Sequence, residues 1–92
     1  MPSSTEINQQ RMDRIKALLD AALSPQELFI QDDSHLHAGH AGSQSGLGHF
    51  SVIIKSEKFN GLLPLKRHQL VYQALGDMMK TDIHALAIKA SI

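Results

Sequence analysis

The chain of 92 residues contains no cysteine and no tryptophan. Without cysteine there is no disulfide framework, no thiolate zinc finger, no thiol nucleophile and no iron-sulfur cluster held by the chain's own thiolates. A soft metal site here must use histidine or borrow ligands from elsewhere. Aromatics are scarce, with three Phe and one Tyr. The longest apolar runs are a few residues and the N-terminus MPSSTEINQQ is polar, so the sequence shows no membrane span and no secretory signal, and a cytoplasmic location is expected. There is no G-x-S-x-G, no phosphate loop and no paired-carboxylate spacing, so an enzyme is not expected.

Net charge is also absent, the nine basic residues being balanced by nine acidic ones. This argues against a strong nonspecific polyanion binder, whose affinity comes from neutralising phosphates. The balance is uneven along the chain. Residues 1–34 carry three basic and six acidic side chains, and residues 35–92 carry six basic and three acidic, which leaves room for a basic surface in the second half.

A chain of this length forms one domain, spanning 1–92, with a small core. Ser3-Ser4-Thr5-Glu6 fits a capping box, and Met12, Ile15, Leu18, Leu19, Ala22 and Leu23 recur at helical spacing before Pro25. ELFIQ (27–31) is short and β-prone, and HFSVIIKS (49–56) places Phe50, Val52 and Ile54 on one face by alternation. After the turn EKFNG, Pro64 opens a helix with an inner stripe of Val71, Ala74, Leu75 and Met78, ending near Lys80. IHALAIKA (83–90) reads as a third strand, with His84 sharing a side with Leu86, Ile88 and Ala90 and sitting, half-covered, at the core's edge. The expected architecture is α+β, a small sheet with helices packed on one face.

The link between the first two strands, Asp32 to Gly48, is far longer than a hairpin turn, and loops beyond about 12–15 residues are usually functional or disordered. From Ser34 to Phe50 the sequence SHLHAGHAGSQSGLGHF holds four of the six histidines. His35, His37 and His40 read either as a solvated loop or as ligands converging on one ion. Asp33 with His35 and His37 has the composition of a two-histidine, one-carboxylate iron site but lacks a scaffold to fix it. His49, opening a strand beside Phe50, reads as structural. His68 belongs to the basic run Lys66-Arg67-His68, and His84 is either a satisfied core histidine or a ligand.

The run KFNGLLPLKRHQLVYQAL followed by DIHALAIKA resembles the BolA family, with Phe59-x-Gly61, Leu65-x-Arg67-His68 and Ile83-His84-Ala85-Leu86 standing where that family has its signature. The resemblance extends from the first helix through Asp32-Asp33-Ser34 and His49-Phe50 to the last strand. It implies a class II KH-like fold in the order αββααβ, with a three-stranded sheet. It implies a partnership with a monothiol glutaredoxin in which the two proteins share a [2Fe-2S] cluster. The glutaredoxin brings a Cys, glutathione a thiol, and the BolA-like chain its histidines; no cluster is expected on the isolated chain, a monomer that becomes a heterodimer with its partner.

By the same resemblance His84 is the C-terminal ligand and the second comes from the loop between the strands, where some members use Cys and this chain must use His. Counted from Asp32-Asp33-Ser34 the loop ligand is His37, with His35 and His40 as substitutes. The family is also linked to transcriptional control, stress responses and cell shape, which would place DNA against Lys66, Arg67 and His68. A third reading is a cluster-free adaptor that only docks onto glutaredoxin.

Overall fold

The computed structural model describes residues 4–34 and 47–92. The elements run α1 (Ser4–Leu23), β1 (Glu27–Asp32), β2 (Gly48–Lys55), a 3-10 turn (Glu57–Phe59), α2 (Pro64–Leu75), α3 (Met78–Thr81) and β3 (Ile83–Ser91). The order is αββααβ, as the resemblance implies. The proposed capping residue Ser3 lies outside the described residues.

Helix α1 forms because its apolar residues repeat at three and four residue steps, and Ile15, Leu19 and Leu23 on that stripe are buried. It stops where Ser24 takes a positive φ of 43° just before Pro25, which cannot continue the helix. The buried Ser56 secures the stop from the far end of β2. Its hydroxyl donates to the Leu23 carbonyl over 2.6 Å and accepts from the Lys58 amide at 3.1 Å, so one side chain closes α1 and opens the 3-10 turn.

The sheet has the order β1-β2-β3, with β1 antiparallel and β3 parallel to β2. Phe50, Val52 and Ile54 on one face of β2 meet Ile15 and Leu19 of α1, Val71 and Leu75 of α2, and Met78 of α3, with Phe59 fully buried among them. Each of these side chains contributes about 1.5–3 kcal/mol by leaving water. The helix that the sequence suggested would run on to Lys80 is broken at Gly76 into α2 and the single turn of α3. Among the described residues, helices cover one face of the sheet. On the other, Phe29 and Ile53 are paired neighbours and remain 57% and 49% exposed.

The family-like motifs acquire physical roles. Phe59 fills the core, and Gly61 supplies a φ of +78° that an L side chain adopts with strain. The Arg67 guanidinium donates to the Leu62 carbonyl at 2.8 Å and to the Ala90 carbonyl at 3.4 Å, tying the start of α2 to the end of β3.

Candidate functional site

Both ends of the histidine-bearing loop are fastened by one polar network to α1, to β2 and to Asp82, the residue just before β3. At the outgoing end the Ser34 amide donates to Asp32 Oδ1 at 2.9 Å, a turn that Asx residues favour. The Ser34 hydroxyl accepts from the His49 amide (3.1 Å) and from Asn8 Nδ2 (3.2 Å) of α1. The Asp33 amide donates to the His49 carbonyl at 2.7 Å, and the Asp33 carboxylate accepts from the Ser51 hydroxyl. At the returning end the Gly48 amide donates to the Asp82 carbonyl at 2.9 Å. Gly48 must be glycine, because a Cβ there would stand 2.3 Å from the Phe50 ring and 3.1 Å from Asn8 Oδ1.

Asn8 is buried, and its Oδ1 accepts from Arg11 Nη1 at 2.9 Å. Arg11 Nε in turn reaches Asp82 Oδ2 at 3.3 Å, and Arg14 reaches Asp82 Oδ1 at 3.5 Å. The Thr81 hydroxyl, the guanidinium of Arg11 and the charge of Arg14 together hold the Asp82 carboxyl below the ordinary value of 3.8, against the opposing effect of partial burial. This network sits immediately before Ile83-His84.

The register between β2 and β3 then jumps. Gly48 pairs with Ile83 and His49 pairs with Ala85, so β3 advances two residues while β2 advances one. His84 is the extra residue of a β-bulge, a device that re-aims side chains. Consequently Ile83 turns into the core at 1% exposure while His84 is exposed. This reverses the sides that plain alternation assigns to these two residues and corrects the expectation of a half-covered His84. The His84 ring rests beside the ring of His49, with centroids 4.9 Å apart and planes at 51°. His49 is only 4% exposed although its alternation partners Ser51 and Ile53 point to the helix-free face.

His35, His37 and His40 lie outside the described residues. Among the described residues no group of three or more His, Asp or Glu side chains could hold a metal ion. The donor chemistry nonetheless suits one iron of a [2Fe-2S] cluster in part, since two imidazoles can take the place of two thiolates on one iron and His84 is open to an incoming group. Bound there, such a cluster would supply electron-accepting iron centres, and His84 would present a ring nitrogen to one of them. Of the residues suggested for DNA, Lys66 is exposed, His68 is half-buried and Arg67 is committed to the two carbonyls named above. Asn8 and Arg11 were not singled out in the sequence, and Ser34 and Asp82 stood out there only within the stretches that carry the family resemblance. Their roles depend on contacts between residues as many as 71 positions apart.

Comparison with known proteins places these features in a family. The family model described as BolA-like protein matches residues 19–92. The chain belongs to the BolA family. It is 45% identical over 76 residues to BolA-like protein 1 of Mus musculus, covering 83% of this chain and 53% of that protein. It is 40% identical over 76 residues to the DNA-binding transcriptional regulator BolA of Escherichia coli (strain K12), covering 83% of this chain and 70% of that protein. Among solved structures it superposes on the BolA domain of SufE1 from Arabidopsis thaliana with a TM-score of 0.77 at 41% identity, covering 88% of this chain and 90% of that domain. The chain thus spans about half the length of its mouse relative. Among the described residues no helix is long and apolar enough to cross a membrane.

Proposed function

We propose that this BolA-like protein is a partner of monothiol glutaredoxins and shares a bridging [2Fe-2S] cluster with them, acting in iron-sulfur cluster trafficking or iron and redox regulation. The observation that carries the reading is His84. In a BolA-family chain without cysteine, a bulge presents this imidazole to solvent on a strand that the core and the Asp82 network hold in place. His84 supplies one nitrogen ligand and His37 of the loop the second, with His35 and His40 able to substitute. The partner's cysteine and the thiol of glutathione complete the cluster.

On this reading the isolated chain is a cluster-free monomer, becomes a heterodimer with its partner, and acts as a binding protein rather than an enzyme. Dependence on glutathione favours the cytoplasm, whose thiol pool supplies it. Co-expression with a monothiol glutaredoxin, followed by anaerobic purification, tests the proposal. A coloured one-to-one complex is expected, and separate elution of the two proteins contradicts it.

A second reading, DNA binding in transcriptional control, is favoured by the name of the E. coli relative and by one feature of α2. Its segment Pro64–Leu75 carries Lys66 and Arg67 and no acidic residue. With Arg67 committed to the fold, Lys66 is the cation left free for phosphate on this turn. Zero net charge makes the nonspecific part of such binding weak.

A further inference from the structure

Strand β1 lies at one edge of the sheet, across β2 from the strand that carries His84, and among the described residues nothing pairs with its outer side. The Asp33 amide donates to the His49 carbonyl, and antiparallel pairing turns alternate residues toward the partner strand. The main chain of Phe29 and Gln31 therefore faces β2, and the amides and carbonyls of Leu28 and Ile30 face outward. Soluble proteins blunt such an edge with charge, proline or a bulge. Leu28-Phe29-Ile30 has none of these, and the register with β2 is unbroken from Glu27 to Asp32.

A groove of about 280 Å3 follows this edge, with an apolar lining of Met12, Leu28 and Ile30 and a polar lining of Gln9, Asp13 and Lys16 from α1. Its three apolar residues pack on the core yet stay partly exposed. A strand laid along β1 bonds the outward groups of Leu28 and Ile30 and turns every second side chain into the groove, which is how open sheet edges take up extended peptides.

Charge selects the occupant. Residues 1–34 carry three cations against six carboxylates, and each cation is already matched, Arg11 and Arg14 on Asp82 and Lys16 on Asp20. Asp13 accepts from the neutral Gln9 amide at 3.0 Å, and Asp32, on the same side of β1 as Leu28 and Ile30, accepts from the Ser34 amide. No cation among the described residues pairs with either carboxylate. Glu27, by contrast, stands opposite Lys55 on β2. A second copy of the chain would set the same carboxylates against these, whereas a basic segment complements them.

We propose that the β1 edge and its groove take up an extended basic segment of another protein, with alternate apolar side chains in the groove and flanking Lys or Arg side chains on Asp13 and Asp32. The site is on the opposite edge of the sheet from His84, so it stands or falls separately from the cluster reading.

The test titrates the isotope-labelled full chain with a capped peptide, KTVTVTK, whose lysines and valines share one face, and with ETVTVTE as the charge-reversed control. NMR shifts should concentrate on Met12, Asp13, Leu28 and Ile30, and the Leu28 and Ile30 amides should exchange more slowly with solvent in the complex. At low salt the control peptide should bind roughly tenfold more weakly, and Asp13→Lys should weaken binding of KTVTVTK about fivefold. Ile30→Pro, which removes one outward amide, should abolish binding. Absence of binding at millimolar KTVTVTK, shifts confined to other elements, equal affinity for the two peptides, unchanged affinity in Asp13→Lys, or dimerisation of the chain through the Leu28 and Ile30 amides would overturn the proposal. If Ile30→Pro fails to fold, Asp13→Lys, on an exposed position of α1, still decides.

Discussion

Arg11 of α1 donates to the carboxylate of Asp82, two residues before His84, across 3.3 Å and 71 positions of sequence. Both side chains are largely covered, Arg11 at 13% and Asp82 at 19% exposure, whereas Arg14, on the other carboxylate oxygen, is 60% exposed. The two arginines therefore differ in weight. An exposed ion pair is screened by water and salt, while a covered, hydrogen-bonded one leaves unsatisfied groups when broken.

Replacing Arg11 by Ala should destabilise the protein by about 1–3 kcal/mol, because both Asp82 and Asn8 lose a donor. Arg14→Ala should stay within about 0.5 kcal/mol. Urea unfolding of the two variants checks the contrast, and equal losses would show that Arg11 has no special place in the network.

Asp82 should also impose a pH dependence on the metal-free protein. Its carboxyl is held below the ordinary value of 3.8 in the folded state, so its stabilising contribution is complete above that value and is lost as pH falls through the folded value. The stability gap between the parent protein and Asp82→Asn should be constant from neutral pH down to about pH 5 and shrink below it. A gap that grew on acidification would contradict the assignment.

Gly48→Ala forces a methyl group against the Phe50 ring and Asn8, where the core and the loop base meet. Overpacking of this kind costs about 1–3 kcal/mol. Thermal unfolding should show a lowered midpoint, together with altered chemical shifts at His49 and Ser34, whose hydrogen bond lies next to the clash.

On α2 the two cations should separate by function. Arg67→Ala breaks two bonds from a charged donor to main-chain carbonyls and should cost about 1.5–3 kcal/mol. Lys66→Ala should leave stability unchanged and, if DNA is a ligand, should weaken its binding and reduce the salt slope by about one unit. Normal DNA affinity and salt dependence in Lys66→Ala would remove this turn from any DNA surface.

Much of the fold was legible because burial follows periodicity. The stripe through Ile15, Leu19 and Leu23 and the alternation of Phe50, Val52 and Ile54 both point into the observed core. The site was legible only in part. His84 stood out by its motif, but alternation placed it on the core side, since a single-residue bulge shifts the faces and leaves no local signal. His49 read as a structural strand residue, which its burial bears out, but its contact with His84 depends on the parallel pairing of β2 and β3. Arg67 looked like a basic surface residue because its acceptors are carbonyls, which sequence does not distinguish.

The sharing of a cluster through His84 is tested most directly by visible circular dichroism of a cluster-loaded monothiol glutaredoxin titrated anaerobically with this chain. With the parent protein the spectrum should change to that of a new species and saturate at one equivalent, and with His84→Ala that species should be absent. A spectrum that the parent chain leaves unaltered, or that His84→Ala alters identically, would show that this imidazole does not ligate the cluster.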